Sequence, residues 1–185
     1  MSQFKAGFAR LDITPPLGVN ISGYYEQRIA DGILDNLYAS ALAVNDGSNT
    51  AVVISLDVIG IGKSMMEVYR KSIATQNEIP FEAVIIACTH THTGPEMEDD
   101  LFPNDPKYNA YLQRKPNDVS MLAISDLKPA KVSIGRSKAP NIAFVRRFRM
   151  KDGSIHTNPG RMNSDILGPI GTPDETVQLV RIPRE

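Results

Sequence analysis

The side chains able to do chemistry in this chain gather around one short stretch, Ala83–Pro95, AVIIACTHTHTGP. Two of its three histidines, His90 and His92, stand there two residues apart. An imidazole can bind a divalent cation through a lone pair or move a proton near neutral pH. The stretch opens as an apolar, β-branched run, the pattern of a buried strand. Along a strand, residues two apart share a face, with Cα atoms about 6.6 Å apart at a rise of ~3.3 Å per residue. Both rings could then reach one metal ion, or one could hold metal while the other meets a substrate. Gly94-Pro95 stops the strand, and the C-terminal end of a strand is a usual place for a site in an α/β fold. A hydrolytic zinc site needs three or four protein ligands and an open position, so two histidines do not complete one. A blander reading has the threonines and histidines hydrogen-bonding one another; two same-facing histidines beside threonines are better explained as a site.

Other candidates lie around this pair. Asp57 follows an apolar run and precedes Ile59-Gly60-Ile61-Gly62. A carboxylate at a buried strand end must be paired, so it either caps the next helix or serves as a site acid. Glu96, Glu98, Asp99 and Asp100 follow the histidines in a proline-broken segment that reads as a solvated loop, with a metal-facing role as the alternative. Cys88 shares the strand parity of the histidines, beneath them, and reads as a small buried hydrophobe. As the single cysteine it excludes an intrachain disulfide. In the strand-like run 141–150, NIAFVRRFRM, parity sets Arg146 with Phe144 and Phe148, opposite Arg147 and Arg149. A guanidinium on an apolar face wants an acid or an anionic ligand. His156, alone in a turn-rich segment, reads as a surface residue.

The elements that must position these groups follow from pattern. Phe4–Ile13 reads as a strand with Ala6, Phe8 and Leu11 inward, broken by Thr14-Pro15-Pro16-Leu17-Gly18. Asn20–Tyr25, with Gly23 and two tyrosines, is a surface loop or a pocket wall. Residues 37–44 and 50–58 read as strands joined by the hairpin-type turn 45–49. Residues 64–77 form a helix with Ser64 as N-cap and a core stripe of Met65, Val68, Tyr69 and Ile73. Strand, helix and strand in that order predict a crossover with parallel strands. Residues 107–126 are helical but kinked or split at Pro116. Strands follow at 129–135 and 141–150, then a turn at Lys151-Asp152-Gly153, and a last strand at Thr176–Ile182. The expected fold is α/β, mixed β-sheet flanked by helices, in a single domain spanning 1–185.

Composition excludes some classes. With a net charge of −1 there is no basic excess for nucleic acid or an anionic membrane surface. The N-terminus lacks the apolar core of a signal peptide, and no run approaches the ~20 apolar residues of a membrane span, so the expected location is cytoplasmic. HExxH, HxHxDH, GxSxG and P-loop patterns are absent.

Several stretches together resemble the N-terminal part of the neutral/alkaline, non-lysosomal ceramidase family. They are DITPPLGVNISGYY at 12–25, DNLYASALAV at 35–44, AVVISLDVIGI at 51–61, IIACTHTHTGP at 85–95, LKPAKVSIG at 127–135, AFVRRFRMKDGSIHTNPGRMN at 143–163 and, in a divergent form, GPIGTPDETVQLVRI at 168–182. The resemblance implies a zinc-dependent amidohydrolase that cleaves an N-acyl amide, in that family ceramide of sphingolipid metabolism. It makes His90 a zinc ligand, sets His92 beside the substrate, and matches Arg146 to an arginine implicated in the site. Val145 stands where the family has asparagine. The family's later histidine, glutamate and tyrosine ligands, and a serine-bearing motif, have no counterpart here, so the chain reads as a fragment or a shortened relative.

Three functions follow as expectations. The first is a ceramidase-like zinc-dependent hydrolase of an N-acyl amide, or its N-terminal half, acting on a small-molecule or lipid substrate. The second is a non-catalytic truncated relative that serves as a binding or assembly module. The third and weakest is another metallohydrolase built on His90, His92 and Asp57. A second copy of the chain, in a homo-oligomer, is one way to complete such a half-site.

Overall fold

The computed structural model describes residues 3–99 and 101–184. The described chain falls into two compact units, residues 1–131 with 183–185, and residues 132–182. The expected mixed α/β class is what the first unit shows. Its five-stranded sheet contains β1 (Lys5–Asp12), β2 (Tyr38–Asn45), β3 (Thr50–Leu56), β4 (Val84–Cys88) and the two-residue β5 (Lys128–Pro129). The order across the sheet is β4-β3-β2-β1-β5. Only the β3–β4 pair is parallel, and it is the pair joined by helix α1 (Lys63–Gln76), as the crossover pattern predicts.

One face of this sheet carries the core. Val52, Ile54 and Leu56 of β3 and Val84 of β4 are fully buried there, with Ile73 of α1. On β1 and β2 the same face is built from small residues: Gly7, Ala9, Ala39, Ala41 and Ala43. Small side chains let a helix backbone approach closely. Helix α3 (Lys115–Ser125) uses that room, and a Cβ built on Gly7 would stand 2.0 Å from the Ala123 carbonyl oxygen. The inward face of β1 therefore differs from the expected one. Ala6 is buried and Leu11 packs against the core as expected, but Phe8 is 42 % exposed, and Gly7 and Ala9 share the core face with Leu11.

The helical segment near Pro116 is split. Helix α2 (Pro106–Leu112) begins at Asp105, whose carboxylate accepts from the backbone N–H groups of Lys107 and Tyr108 at 2.8 and 3.1 Å. Pro116 sits in the first turn of α3, where a missing N–H costs nothing. The buried Tyr108 hydroxyl donates to the Ile13 carbonyl at 2.5 Å and ties α2 to the end of β1; burial also raises its pKa. Helix α1 departs from expectation at its start. Its N-cap is Gly62, with no side-chain cap, and Ser64 lies inside the first turn. Tyr69 and Ile73 of the expected stripe are buried, whereas Met65 and Val68 stay exposed.

The second unit is β-rich. A two-stranded ribbon pairs β6 (Ser133–Lys138) with β10 (Thr176–Arg181), and a three-stranded sheet has the order β8-β7-β9, from β7 (Arg147–Met150), β8 (Ile155–Thr157) and β9 (Ile166–Pro169). The Lys151-Asp152-Gly153 turn joins β7 to β8 as expected, with Gly153 at φ 84°. Two strand assignments need correction. The run 129–135 divides between β5 and β6, and the run 141–150 is extended strand only from Arg147, because Asn141 takes a left-handed φ of 63° and residues 143–146 pair with no strand.

Candidate functional site

The sheet delivers THTHTGP to the C-terminal edge of β4, but the strand ends at Cys88. Thr89 and His90 still donate backbone hydrogen bonds to the Leu56 and Val58 carbonyls, at 3.0 and 3.1 Å. The chain then turns through His90, whose φ is 61°. A non-glycine residue in this region carries about 1–3 kcal/mol of strain and is found mainly at functional sites. Strand parity therefore does not govern the pair, contrary to the sequence expectation. The turn nevertheless brings the rings together: their centroids are 5.1 Å apart, and the two Nε2 atoms approach to 3.4 Å.

Each ring is held separately. Nδ1 of His90 lies 2.8 Å from the Ile59 carbonyl. A carbonyl oxygen only accepts, so Nδ1 is the donor, and in the neutral ring the lone pair is then on Nε2. That is the tautomer and orienting contact of a metal-binding histidine. His92 rests on Gly23, where a Cβ would stand 2.5 Å from His92 Cγ and 2.6 Å from Nδ1. Tyr24 meets the same ring edge-on at 6.1 Å, and the Arg28 guanidinium covers the Tyr24 ring at 4.3 Å. Gly23 is fixed beneath His92 by pairing of its own segment with the chain just after the histidines. Ser22 N–H donates to Gly94 O at 3.0 Å, Glu96 N–H to Asn20 O at 2.8 Å, and the Ser22 hydroxyl to Glu96 Oε1 at 3.1 Å. The segment 20–25 is thus a pocket wall. Gly23, Tyr24 and Tyr25 line a cavity of about 480 Å³ with Ile59, Glu96 and Glu98.

The threonines of the motif line a different cavity, of about 720 Å³, together with Asp57, Leu17 and Leu34. Asp57 does not cap α1. Its Oδ2 accepts the Tyr38 backbone N–H at 2.9 Å and closes the end of the β2–β3 pair. Of the acidic run, Asp99 accepts two hydrogen bonds from Asn104, and Asp100 lies outside the described residues. Cys88 packs against the core, and burial raises its thiol pKa, which fits the small-hydrophobe reading. Arg146 belongs to the second unit, exposed and one residue before β7; its carbonyl accepts from the Asn158 N–H at 2.8 Å. His156, in β8, is exposed as expected. Among the described residues no three His, Cys, Asp or Glu side chains form a group able to hold a metal ion. The donor set in hand is thus the histidine pair. It fits a divalent cation in tautomer and spacing but leaves the shell incomplete.

Sequence reasoning missed the Ile59 carbonyl, because a backbone acceptor has no side-chain signature; the glycines at 60 and 62 were its only trace. It also missed that the threonines face a cavity of their own.

No protein-family model matches the chain. Among solved structures, it superposes on neutral ceramidase from Pseudomonas aeruginosa with a TM-score of 0.67 at 19 % identity, over 82 % of this chain and 25 % of that one. A ceramidase complexed with C2 gives a TM-score of 0.61 at 20 % identity with the same coverage. The chain has the fold of part of a neutral ceramidase. It spans about a quarter of the ceramidase chains it matches. No helix among the described residues is long and apolar enough to cross a membrane.

Proposed function

We propose that this ceramidase-like chain is part of a zinc-dependent hydrolase of N-acyl amide bonds. The observation that carries this reading is the His90 ring. It stands at the end of β4 in a ceramidase-like fold, with Nδ1 held by Ile59 O and Nε2 facing His92 Nε2 at 3.4 Å. A zinc ion held there would polarise the amide carbonyl as a Lewis acid. The chain's own groups supply the rest. Ile59 fixes the tautomer of His90. Gly23 and Tyr24 fix the ring plane of His92, which the resemblance sets on the substrate side, where an imidazole can hold or transfer a proton. Arg146 is assigned by resemblance alone, as a guanidinium for a carboxylate or oxyanion. The lipid amide named by the ceramidase likeness is the substrate class to try first, alongside smaller N-acyl compounds.

The test is N-acyl amide hydrolysis and zinc content of the chain and of His90→Ala. Loss of both in the variant is expected. Equal zinc stoichiometry in the two proteins sinks the ligand assignment. One observation favours the second reading, a non-catalytic binding or assembly module: the described residues supply fewer than three grouped metal donors. A parent chain that neither binds zinc nor hydrolyses any N-acyl substrate decides for that reading.

A further inference from the structure

We infer that the groove running from Thr91 past Pro15 to Tyr111 is a docking site for an extended peptide bearing both basic and aliphatic side chains. The inference uses neither histidine ring and needs no hydrolysis to be true.

The groove joins two cavities of the first unit, of about 720 and 670 Å³. Thr14, Pro15 and Ile33 line both, so the two are continuous. Each alone has the volume of a small-molecule site, about 300–1,000 Å³. A ligand that fills both is a longer one.

One lip of the groove is the segment 31–36, DGILDN, and both its ends are pinned. Before it, Gly18 N–H donates to Ala30 O at 2.8 Å, and Ala30 N–H to Val19 O at 2.9 Å. After it, Leu37 N–H donates to Thr14 Oγ1 at 2.9 Å, and the Asn36 amide to Asp12 Oδ2 at 2.6 Å. Between these anchors Ile33 is 52 % exposed and Leu34 is wholly exposed; Leu17, on the same cavity, is 57 % exposed. Aliphatic side chains held out in water by an anchored loop, and rimmed by carboxylates, mark an interaction surface.

Charge decides the occupant. Among the described residues, five carboxylates and two cations line the groove. Asp31, Asp35 and Asp57 belong to one cavity, Asp12 and Asp105 to the other. Hydrogen bonds from Thr14 and Asn36 hold the Asp12 carboxyl below its ordinary 3.8, so it stays charged. Of the cations, Arg28 is turned onto the Tyr24 ring at 4.3 Å. The groove is therefore apolar with negative charge in both halves. Complementarity asks for a partner that is apolar and positive. A single ammonium group meets one half only. A peptide with several lysines or arginines meets both, while its aliphatic side chains cover Leu17, Ile33 and Leu34. In an extended chain successive side chains point to opposite sides, so alternating basic and aliphatic residues suit both demands. The hydroxyls of Thr89, Thr91 and Thr93 line the first cavity and can donate to or accept from a peptide backbone.

The experiment uses the full chain and, as probe, a fluorescein-labelled octapeptide of Leu-Lys repeats, with binding read by fluorescence anisotropy at low and high salt. Octapeptides of Ser-Lys and of Leu-Glu repeats are the comparisons. The variants are Leu34→Ser, the pair Asp31→Ser with Asp35→Ser, and Ile134→Ser, which removes an exposed aliphatic from the second unit. All four positions are exposed, and circular dichroism with a denaturation midpoint confirms each variant's fold. Saturable binding of the Leu-Lys peptide is expected, weakened by salt. It should fall about tenfold or more in Leu34→Ser, the effect of losing one leucine's burial. It should fall several-fold in the double aspartate variant, the effect of two exposed ion pairs. Ile134→Ser should match the parent. Equal affinity for the Ser-Lys or Leu-Glu peptide overturns the inference, as does parent-like binding in Leu34→Ser. Dodecylamine bound as tightly as the peptide overturns it in favour of a single small cation. A parent dimer in sedimentation that Leu34→Ser converts to monomer overturns it in favour of a second copy of the chain.

Discussion

Replacing Gly23 by alanine puts a methyl group where the His92 ring now lies. The added Cβ would stand 2.5 Å from His92 Cγ, whereas ordinary contact begins at 3.4 Å. The ring must therefore retreat by about 1 Å, a misplacement worth about 10²-fold in turnover when the group serves the reacting centre. The backbone adds a second cost, because Gly23 sits at φ 92° and an L-residue there loses about 1–2 kcal/mol. Gly18 separates the two effects. It has φ 91°, and nothing lies within 4 Å of its added Cβ. Chemical denaturation should show Gly18→Ala and Gly23→Ala losing similar stability, about 1–2 kcal/mol each. Only Gly23→Ala should also lose N-acyl hydrolysis and shift the imidazole resonances of His92. A Gly23→Ala protein that equals Gly18→Ala in both readouts refutes the claim that this glycine seats the ring.

Two further outcomes test the scaffold. Gly7→Ala should lower the urea midpoint by the equivalent of about 1–3 kcal/mol, since its Cβ meets the Ala123 carbonyl and α3 must shift to admit it; an unchanged midpoint would show that α3 does not press on β1 as described. Asp126 accepts the Phe8 backbone N–H and pairs with Lys128 and Arg184, contacts that hold its carboxyl at about 2, below the ordinary 3.8. A lowered acid stabilises the fold above its ordinary pKa and ceases to as pH falls through the folded value. Stability should thus decline from about pH 4 toward pH 2, and Asp126→Asn should flatten that decline; equal slopes in the two proteins would contradict it.

Much of the scaffold was legible because its signals are local. Alternation or apolar runs marked β1 to β4, the 45–49 turn set the hairpin, and Pro116 split a helix where its ring fits only a first turn. The errors share one cause. Ser64 as a cap was read from residue type and Phe8 as core from loose alternation, while the helix starts at Gly62 and α3 presses on the Gly7 face of β1. Arg146 was given a face by strand parity, and no strand is present at that position.

For the site, the sequence by itself determined the reagents, two imidazoles in THTHTGP after an apolar strand, and a glycine in a segment suited to line a pocket. Strand geometry offered same-facing rings, which was the wrong route to their meeting. Only the tertiary structure decided how they meet, because the turn at His90, the Ile59 carbonyl and the seat at Gly23 come from three segments that the sheet and its flanking bridges bring together. A side chain's type is written in the sequence. The direction of its lone pair depends on the acceptor facing its other nitrogen, and here that acceptor is a backbone carbonyl 31 residues away.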